Sequence, residues 1–266
     1  MYPVFHNLLS EKRGGEIFTL FSGWHFFYII LAVVVTVALL LLLRKKGMDA
    51  KQKVLKALIY IAFSLYIADF FMMPLSQNEI NIEKLPFHAC TSMCVMCFLS
   101  YHNSFLNKYR TSFAMLGFIS NLVYLIYPAG VMWFAIHPLS YRVVQTLVFH
   151  AVMAVYGFLV LVYERDKIEI QKCYRDLVVV VGLTVWALLG NYVYNGTSEG
   201  YSHFFNWFFV VQDPFNMFPA QIAPFLMPVL NIALFFGVEM LIHIVLLAVK
   251  HGTKKKAVCN TARIDS

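Results

Sequence analysis

Six polar side chains that could perform or support catalysis lie in apolar stretches of this sequence. They are His25, Asp69, His88, Cys90, His150 and Asn191. A histidine accepts and returns a proton near neutral pH, an aspartate orients an imidazole, and a thiol beside a histidine can become a nucleophile. The set is typical of acyl transfer. We assign catalysis to His150 as general base, to Cys90 as nucleophile and to His88, and we assign binding to the other three.

The hydroxyls and thiols near His88 are alternatives for the nucleophile, and they include Thr91, Ser92 and Cys94. Three histidines and an aspartate could also bind a metal ion. However, the sequence has no histidine pair at i and i+4 within a span, and the i, i+2 spacing of His88 and Cys90 diverges on a helix. We therefore predict neither a metal nor another cofactor.

Cys90, Cys94 and Cys97 follow one another at i, i+4 and i+7, which places three thiols on one helical stripe. Small, soft residues of this kind are typical of a contact between helices. Single His, Asn and Asp side chains in a helical bundle likewise often serve as interhelical hydrogen bonds, worth about 1 kcal/mol each. That structural role is the alternative for each of the six polar residues taken singly.

The composition identifies the solvent of the chain as lipid. Of its 266 residues, 60% are hydrophobic, 17% aromatic and only 13% charged, whereas soluble domains carry about 25% charged residues. Soluble enzymes and nucleic-acid-binding proteins are thereby excluded. A helix that crosses a bilayer needs about 20 mostly apolar residues. We place seven such spans, at residues 17–43, 54–75, 86–101, 111–135, 142–163, 174–194 and 220–249, which form a single all-α bundle.

The distribution of basic residues predicts how the bundle is oriented in the membrane. All but four of the 21 Lys and Arg residues follow spans one, three and five or lie in the tail 250–266; the exceptions are Lys12, Arg13, Lys84 and Arg142. Cytoplasmic loops carry the excess of Lys and Arg. We therefore expect the N-terminus outside, the C-terminus in the cytoplasm and a multi-pass protein of the cell membrane.

This orientation places the six polar residues together. At 1.5 Å per residue, all six fall in the outer half of the bilayer, although they come from five different spans. Ionisable groups in spans usually face the bundle interior, so we predict an outer polar site. Glu239 and His243 lie instead toward the cytoplasmic end of span seven, one turn apart on a common face.

The segment 195–219 is unusual for an outer loop because it holds no Lys or Arg and contains a run of aromatic residues. Such rings do not sit in water as a plain loop. We interpret the segment as an interfacial or re-entrant element, either an aromatic belt at headgroup level or a lid over the outer site.

Several short motifs resemble the YwaF family of bacterial integral membrane proteins, which is similar to the animal family of transmembrane protein 164. The motifs are Leu85-Pro86-Phe87-His88-Ala89-Cys90, Phe21-Ser22 with His25, Phe149-His150, and Asn191-Tyr192 with Gly196. The resemblance extends over about residues 17–249 and includes the number and order of spans.

The resemblance implies a seven-span protein of the cell membrane, whose animal relatives act as acyltransferases on ether phospholipids through a cysteine and a histidine. Their motif reads Pro-Cys-His, so the nucleophilic cysteine corresponds to Phe87 here and the histidine to His88. Cys90, three residues on, is the available substitute. His150 matches the second, catalytic histidine.

Two functions remain open from the sequence. The first is a membrane-embedded phospholipid acyltransferase or lipid hydrolase. The second is a carrier or receptor for a lipid or small molecule, in which the same polar site binds without breaking bonds. Span seven has no lysine between residues 220 and 249, which excludes a retinal Schiff base. Membrane lipids are the expected partners, and nucleic acid is not.

Overall fold

The computed structural model describes residues 16–77, 82–132, 135–196 and 205–262, and within these ranges it is all-helical. Seven main helices follow one another along the chain. We number them α1 (Gly23–Leu43), α2 (Met48–Gln77), α3 (Ala89–Ser100), α4 (Arg110–Ile126), α5 (Tyr141–Tyr163), α6 (Tyr174–Gly196) and α7 (Ala223–Ala262).

Hydroxyl caps set the start of two helices that carry predicted site residues. The Ser22 hydroxyl accepts a hydrogen bond from the His25 backbone N–H at the start of α1, and Ser140 accepts one from Val143 at the start of α5. Serine is favoured at this position because it satisfies a backbone donor that has no partner within the helix. The caps fix where each helix begins and hence which residues face the interior.

Six helices within the described ranges are long and apolar enough to cross a membrane: α1, α2, α5, α6, α7, and α4 together with the one-turn helix Ala129–Met132. The prediction of an all-α protein with several membrane spans is thus confirmed. The third predicted span, 86–101, is the exception. Its helix α3 has 12 residues, about 18 Å in length, which is shorter than the hydrocarbon core of about 30 Å.

Polar contacts define two opposite ends of the bundle. At one end Glu164, which follows α5, accepts hydrogen bonds from Arg110 and Gln52. At the other end the Tyr28 hydroxyl donates to the Pro138 carbonyl. Toward this second end Lys84 forms an ion pair with Asp69. The chain therefore passes from one end region to the other between Lys84 and Arg110, and α3 supplies most of that path.

Burial places α5 at the centre of the bundle. About two-thirds of its apolar stretch is buried (67%), against 11% for α1 and for α7. The most extensive helix contact joins α4 and α5. It depends on Gly157, where a Cβ atom would lie 2.6 Å from the Ala114 carbonyl oxygen and 2.7 Å from the Phe118 Cβ. Small residues permit this close approach of helices in membranes.

We expect Gly157→Ala to destabilise the bundle. An extra methyl group in a packed interface costs about 1–3 kcal/mol, which corresponds to about 2–10 °C in melting temperature for a chain of this size. Gly182→Ala in α6 is the matched control, because nothing lies within 4 Å of a Cβ there. Thermal unfolding of the two variants in detergent checks this, and equal melting temperatures would contradict it.

Candidate functional site

His150 lies in the middle of α5 and is held in one tautomer. Its Nδ1 lies 2.6 Å from the Thr146 carbonyl oxygen, and because that oxygen can only accept, Nδ1 carries the proton. The ring stacks on Tyr124 with centroids 3.8 Å apart. The residue is 5% exposed, and its Nε2 has no hydrogen-bond partner within the described residues. His150 thus presents an unoccupied lone pair to the interior, as a general base requires.

Lys84 brings a cation to this region of the bundle. Its ammonium lies 3.0 Å from the Asp69 carboxylate and 3.4 Å from Gln145 Oε1 and Thr146 Oγ1. Asp69 is 1% exposed, and the buried carboxylate is compensated by this ion pair, as a buried charge needs to be. Asp69 is therefore paired with a lysine in this arrangement, and the binding role predicted for it remains a prediction.

His88 precedes α3 and is held in the opposite tautomer. Its Nδ1 accepts a hydrogen bond of 3.3 Å from the Phe208 backbone N–H. A neutral imidazole that accepts at Nδ1 carries its proton on Nε2. His88 therefore offers an N–H donor where His150 offers an acceptor.

Lys84 joins two of the predicted site residues. Its ammonium pairs with Asp69 and lies beside Thr146, the residue whose carbonyl oxygen binds His150. His88 and Cys90 follow Lys84 by four and six residues in the chain. Lys84 was missed because it was counted only as an outer basic residue. Its position directly before the Leu85-Pro86 turn was the available signal.

The alternatives to Cys90 as nucleophile are engaged elsewhere. The Thr91 hydroxyl donates to the His88 carbonyl, and the Ser92 hydroxyl donates to the Pro86 carbonyl, 2.5 Å away. Both hydroxyls close the turn that leads into α3. Cys94 is fully buried at 0% exposure, whereas Cys90 is a half-buried free thiol. Of the four candidates, Cys90 is the one that remains for chemistry.

Phe87, which stands where the animal motif has cysteine, is a packing residue. Its ring lies between Trp186 and Trp207, with centroids 4.9 and 4.8 Å away. A Cβ on Gly190 would be 2.5 Å from this ring. The Trp186 indole N–H also donates to the Pro86 carbonyl at 2.6 Å. The aromatic cluster thereby fixes the turn that positions His88 and Cys90.

Asn191 binds backbone. Its amide oxygen accepts from the Trp207 N–H at 2.9 Å, and its amide nitrogen donates to the Trp207 carbonyl at 3.0 Å. Asn195, one turn later, makes the same pair of bonds to Phe205. From α7, Asn231 donates to the carbonyls of Phe208 and Phe209. Asn195 and Asn231 were not among the predicted site residues.

These amides hold residues 205–209, the first described part of the aromatic segment, against the bundle. Phe205, Trp207 and Phe208 are buried, whereas Phe209 is exposed. Phe208 and Phe209 adopt positive φ values of 55° and 52°, a strained conformation for bulky residues. Residues 205–209 therefore pack against α6 and α7, and the interfacial, belt or lid role of the segment remains a prediction. Residues 197–204 of the predicted loop lie outside the described residues.

Asp213 binds the backbone of the residues that follow it in this segment. Its carboxylate accepts hydrogen bonds from the backbone N–H groups of Phe215, Met217 and Phe218. Desolvation acts to raise the pKa of Asp213, but the three N–H donors outweigh it and hold the pKa below its usual range.

His25 has both ring nitrogens occupied by backbone groups. Nδ1 accepts from the Phe21 N–H at 3.0 Å, and Nε2 donates to the Leu125 carbonyl at 2.8 Å. The residue is fully buried and joins the start of α1 to the end of α4. In this arrangement His25 and Asn191 have their polar atoms bound to backbone, and the binding role predicted for them remains a prediction.

A metal site is not formed by the described ranges: they contain no group of three or more His, Cys, Asp or Glu residues that could hold a metal ion.

Comparison with known proteins gives one family. The model of the TMEM164 family matches residues 20–248, which is nearly the whole bundle and includes every residue of the outer site. Searches of curated proteins and of solved structures found no match. The resemblance to the transmembrane protein 164 family is thus confirmed, and the bacterial YwaF name stays a prediction.

We expect Asn191→Leu to destabilise the protein strongly. The variant removes the two hydrogen bonds that Asn191 makes with the buried backbone N–H and C=O of Trp207, at about 0.5–1.5 kcal/mol each. Thr184→Val is the control on the same helix, because its buried hydroxyl donates only to the Val180 carbonyl within α6. Melting temperatures in detergent compare the two. An unchanged melting temperature in Asn191→Leu would show that Asn191 does not anchor the segment.

Proposed function

Since this chain belongs to the TMEM164 family, we propose that it is a phospholipid acyltransferase or lipid hydrolase embedded in the membrane. The observation that carries the proposal is the buried Nε2 of His150, which has no partner within the described residues while Nδ1 fixes its tautomer. The opposite tautomer of His88 and the free thiol of Cys90 support it.

In the proposed first step, His150 Nε2 accepts the proton of the Cys90 thiol, and the thiolate attacks the ester carbonyl carbon of a phospholipid. The ester C–O bond breaks, and the leaving oxygen takes the proton back from His150. The product is an acyl thioester on Cys90. The Nε2–H of His88 is the donor that would stabilise negative charge on the carbonyl oxygen, and the positive charge of Lys84 would add to this stabilisation without a direct hydrogen bond.

In the second step an acceptor hydroxyl gives its proton to His150 and attacks the thioester. The C–S bond breaks, and the thiolate recovers the proton. A lysophospholipid hydroxyl as acceptor makes the reaction an acyl transfer, and water makes it a hydrolysis. The residues that exclude water therefore decide between the two reactions. The buried side chains of Phe205, Trp207 and Phe208, the last of which binds His88 through its N–H, are suited to that role.

The proposal includes seven crossings of the cell membrane, with the N-terminus outside and the C-terminus in the cytoplasm. The charge distribution supports this orientation. The passage of the chain between Lys84 and Arg110 supports the third crossing, with the turn before α3 completing what its 12 residues leave short. The site would then open to the outer leaflet.

In a cysteine-free background, we expect a membrane-impermeant maleimide to label Gln221→Cys on intact cells and Lys53→Cys only after permeabilisation. Both positions are exposed, and they lie at opposite ends of the proposed topology. Gel-shift labelling measures both. The reverse pattern would overturn the orientation, and labelling of both on intact cells would overturn the separation of the two ends.

We expect the protein, reconstituted with phosphatidylcholine and a lysophospholipid acceptor, to transfer an acyl chain that mass spectrometry detects. His150→Ala and Cys90→Ala should each lower the rate by about 10²-fold or more, since both act in the proton transfer and attack. Cys173→Ala is the matched control, because Cys173 is also a half-buried free thiol.

Two results would contradict this assignment. A full rate in Cys90→Ala together with a loss of activity in His150→Ala would show that the nucleophile is water or another group and not the Cys90 thiol. An unchanged lipid profile on deletion of the gene, with no turnover of any ester but measurable lipid binding, would favour the carrier or receptor function.

A further inference from the structure

A second polar cluster lies in the half of the bundle opposite to the proposed catalytic site. Its members are Asp176 at the start of α6 and, on α7, Glu239 and His243. The His243 Nε2–H donates to the Asp176 carboxylate at 2.6 Å. The proposed acyl transfer uses none of the three residues.

Glu239 is the unusual member. It is fully buried at 0% exposure, and neither of its carboxylate oxygens has a hydrogen-bond partner within the described residues. An ionised carboxylate without a partner is very unfavourable in a low-dielectric interior. A buried acid in this situation needs a proton, a cation or a partner side chain.

The described side chains around Glu239 are mostly apolar. Glu239 and His243 share a stripe of α7 with Phe235, Val238, Ile242 and Leu246, which packs against the apolar side chains of Met115 and Ile119 from α4 and of Leu161 and Ile168 from α5 and its loop. The charged group that acts on Glu239 from α6 is the Asp176 carboxylate. Arg175, beside Asp176, faces Lys108 and the Tyr109 ring, and Lys250 pairs with Asp166.

This donor set suits a proton better than a metal cation. Hard cations take about six or more oxygen ligands, whereas the described neighbours offer two carboxylates, one of them already bound by His243. A single proton on Glu239 leaves one carboxylate and one imidazole, which are compatible as a hydrogen-bonded pair.

We infer that Asp176, Glu239 and His243 form a proton-binding site in the inner half of the membrane, in which Glu239 holds the proton as a neutral carboxylic acid. This site is separate from the proposed catalytic site and does not depend on its activity.

Infrared spectroscopy of the purified full chain tests the inference, because a protonated carboxyl absorbs apart from a carboxylate. At about pH 7, where an ordinary glutamate is ionised, the wild-type protein should show a carboxylic acid band. Glu239→Gln should abolish it. Glu169→Gln is the control, since Glu169 lies outside the spans in an ion pair with Lys172 and its pKa is lowered by that lysine.

The melting temperature gives a second readout. Glu239→Gln keeps the shape and neutrality of the acid, so the variant should melt within about 2 °C of the wild type at neutral pH. Identical carboxyl bands in wild type and Glu239→Gln would overturn the inference. A band that appears only when sodium is replaced by choline would also overturn it, in favour of a sodium site.

Discussion

Every polar backbone group within a membrane must find its partner inside the protein, because the hydrocarbon core offers no water. Helices meet this constraint along most of the chain. Among the described residues, the Leu85–His88 turn and residues 205–209 are irregular stretches that need other partners. Their N–H and C=O groups are satisfied by side chains of α3, α6 and α7, and among these partners are Ser92, Trp186, Asn191 and Asn231.

The predicted site includes residues of those same irregular stretches. The turn before α3, which carries His88 and leads to Cys90, is held by aromatic packing and by hydroxyl donors. The N–H of Phe208 fixes the tautomer of His88, and the Thr146 carbonyl fixes that of His150. A helical carbonyl and a strained backbone segment thus give two neutral histidines opposite proton-transfer properties. Neither needs a charged partner, which would be costly in lipid.

Much of the fold could be predicted from hydropathy, because apolar length alone distinguishes a spanning helix. Span 142–163 coincides with α5 (Tyr141–Tyr163) almost to the residue. Span 86–101 is longer than α3, since the turn before it is as apolar as the helix. The charges of the loops predict the orientation of the bundle in the membrane. Lys84 was assigned to a loop for this purpose, although it pairs with the buried Asp69. Asn191 shows the limit of such reasoning, because an amide that binds backbone and one that binds a ligand look identical in sequence.

The two asparagines of α6 bind the segment by its backbone. Asn191 and Asn195 are four residues apart, which places them on one face of the helix about 6 Å from each other along its axis. Asn191 and Asn195 can therefore hold Trp207 and Phe205 at once, through backbone atoms alone. Recognition of this kind ignores which side chains the segment carries, and proline is the residue it rejects, because proline has no N–H. Substitution of the aromatic side chains therefore leaves these backbone hydrogen bonds in place, and the register of the segment does not depend on which rings it carries.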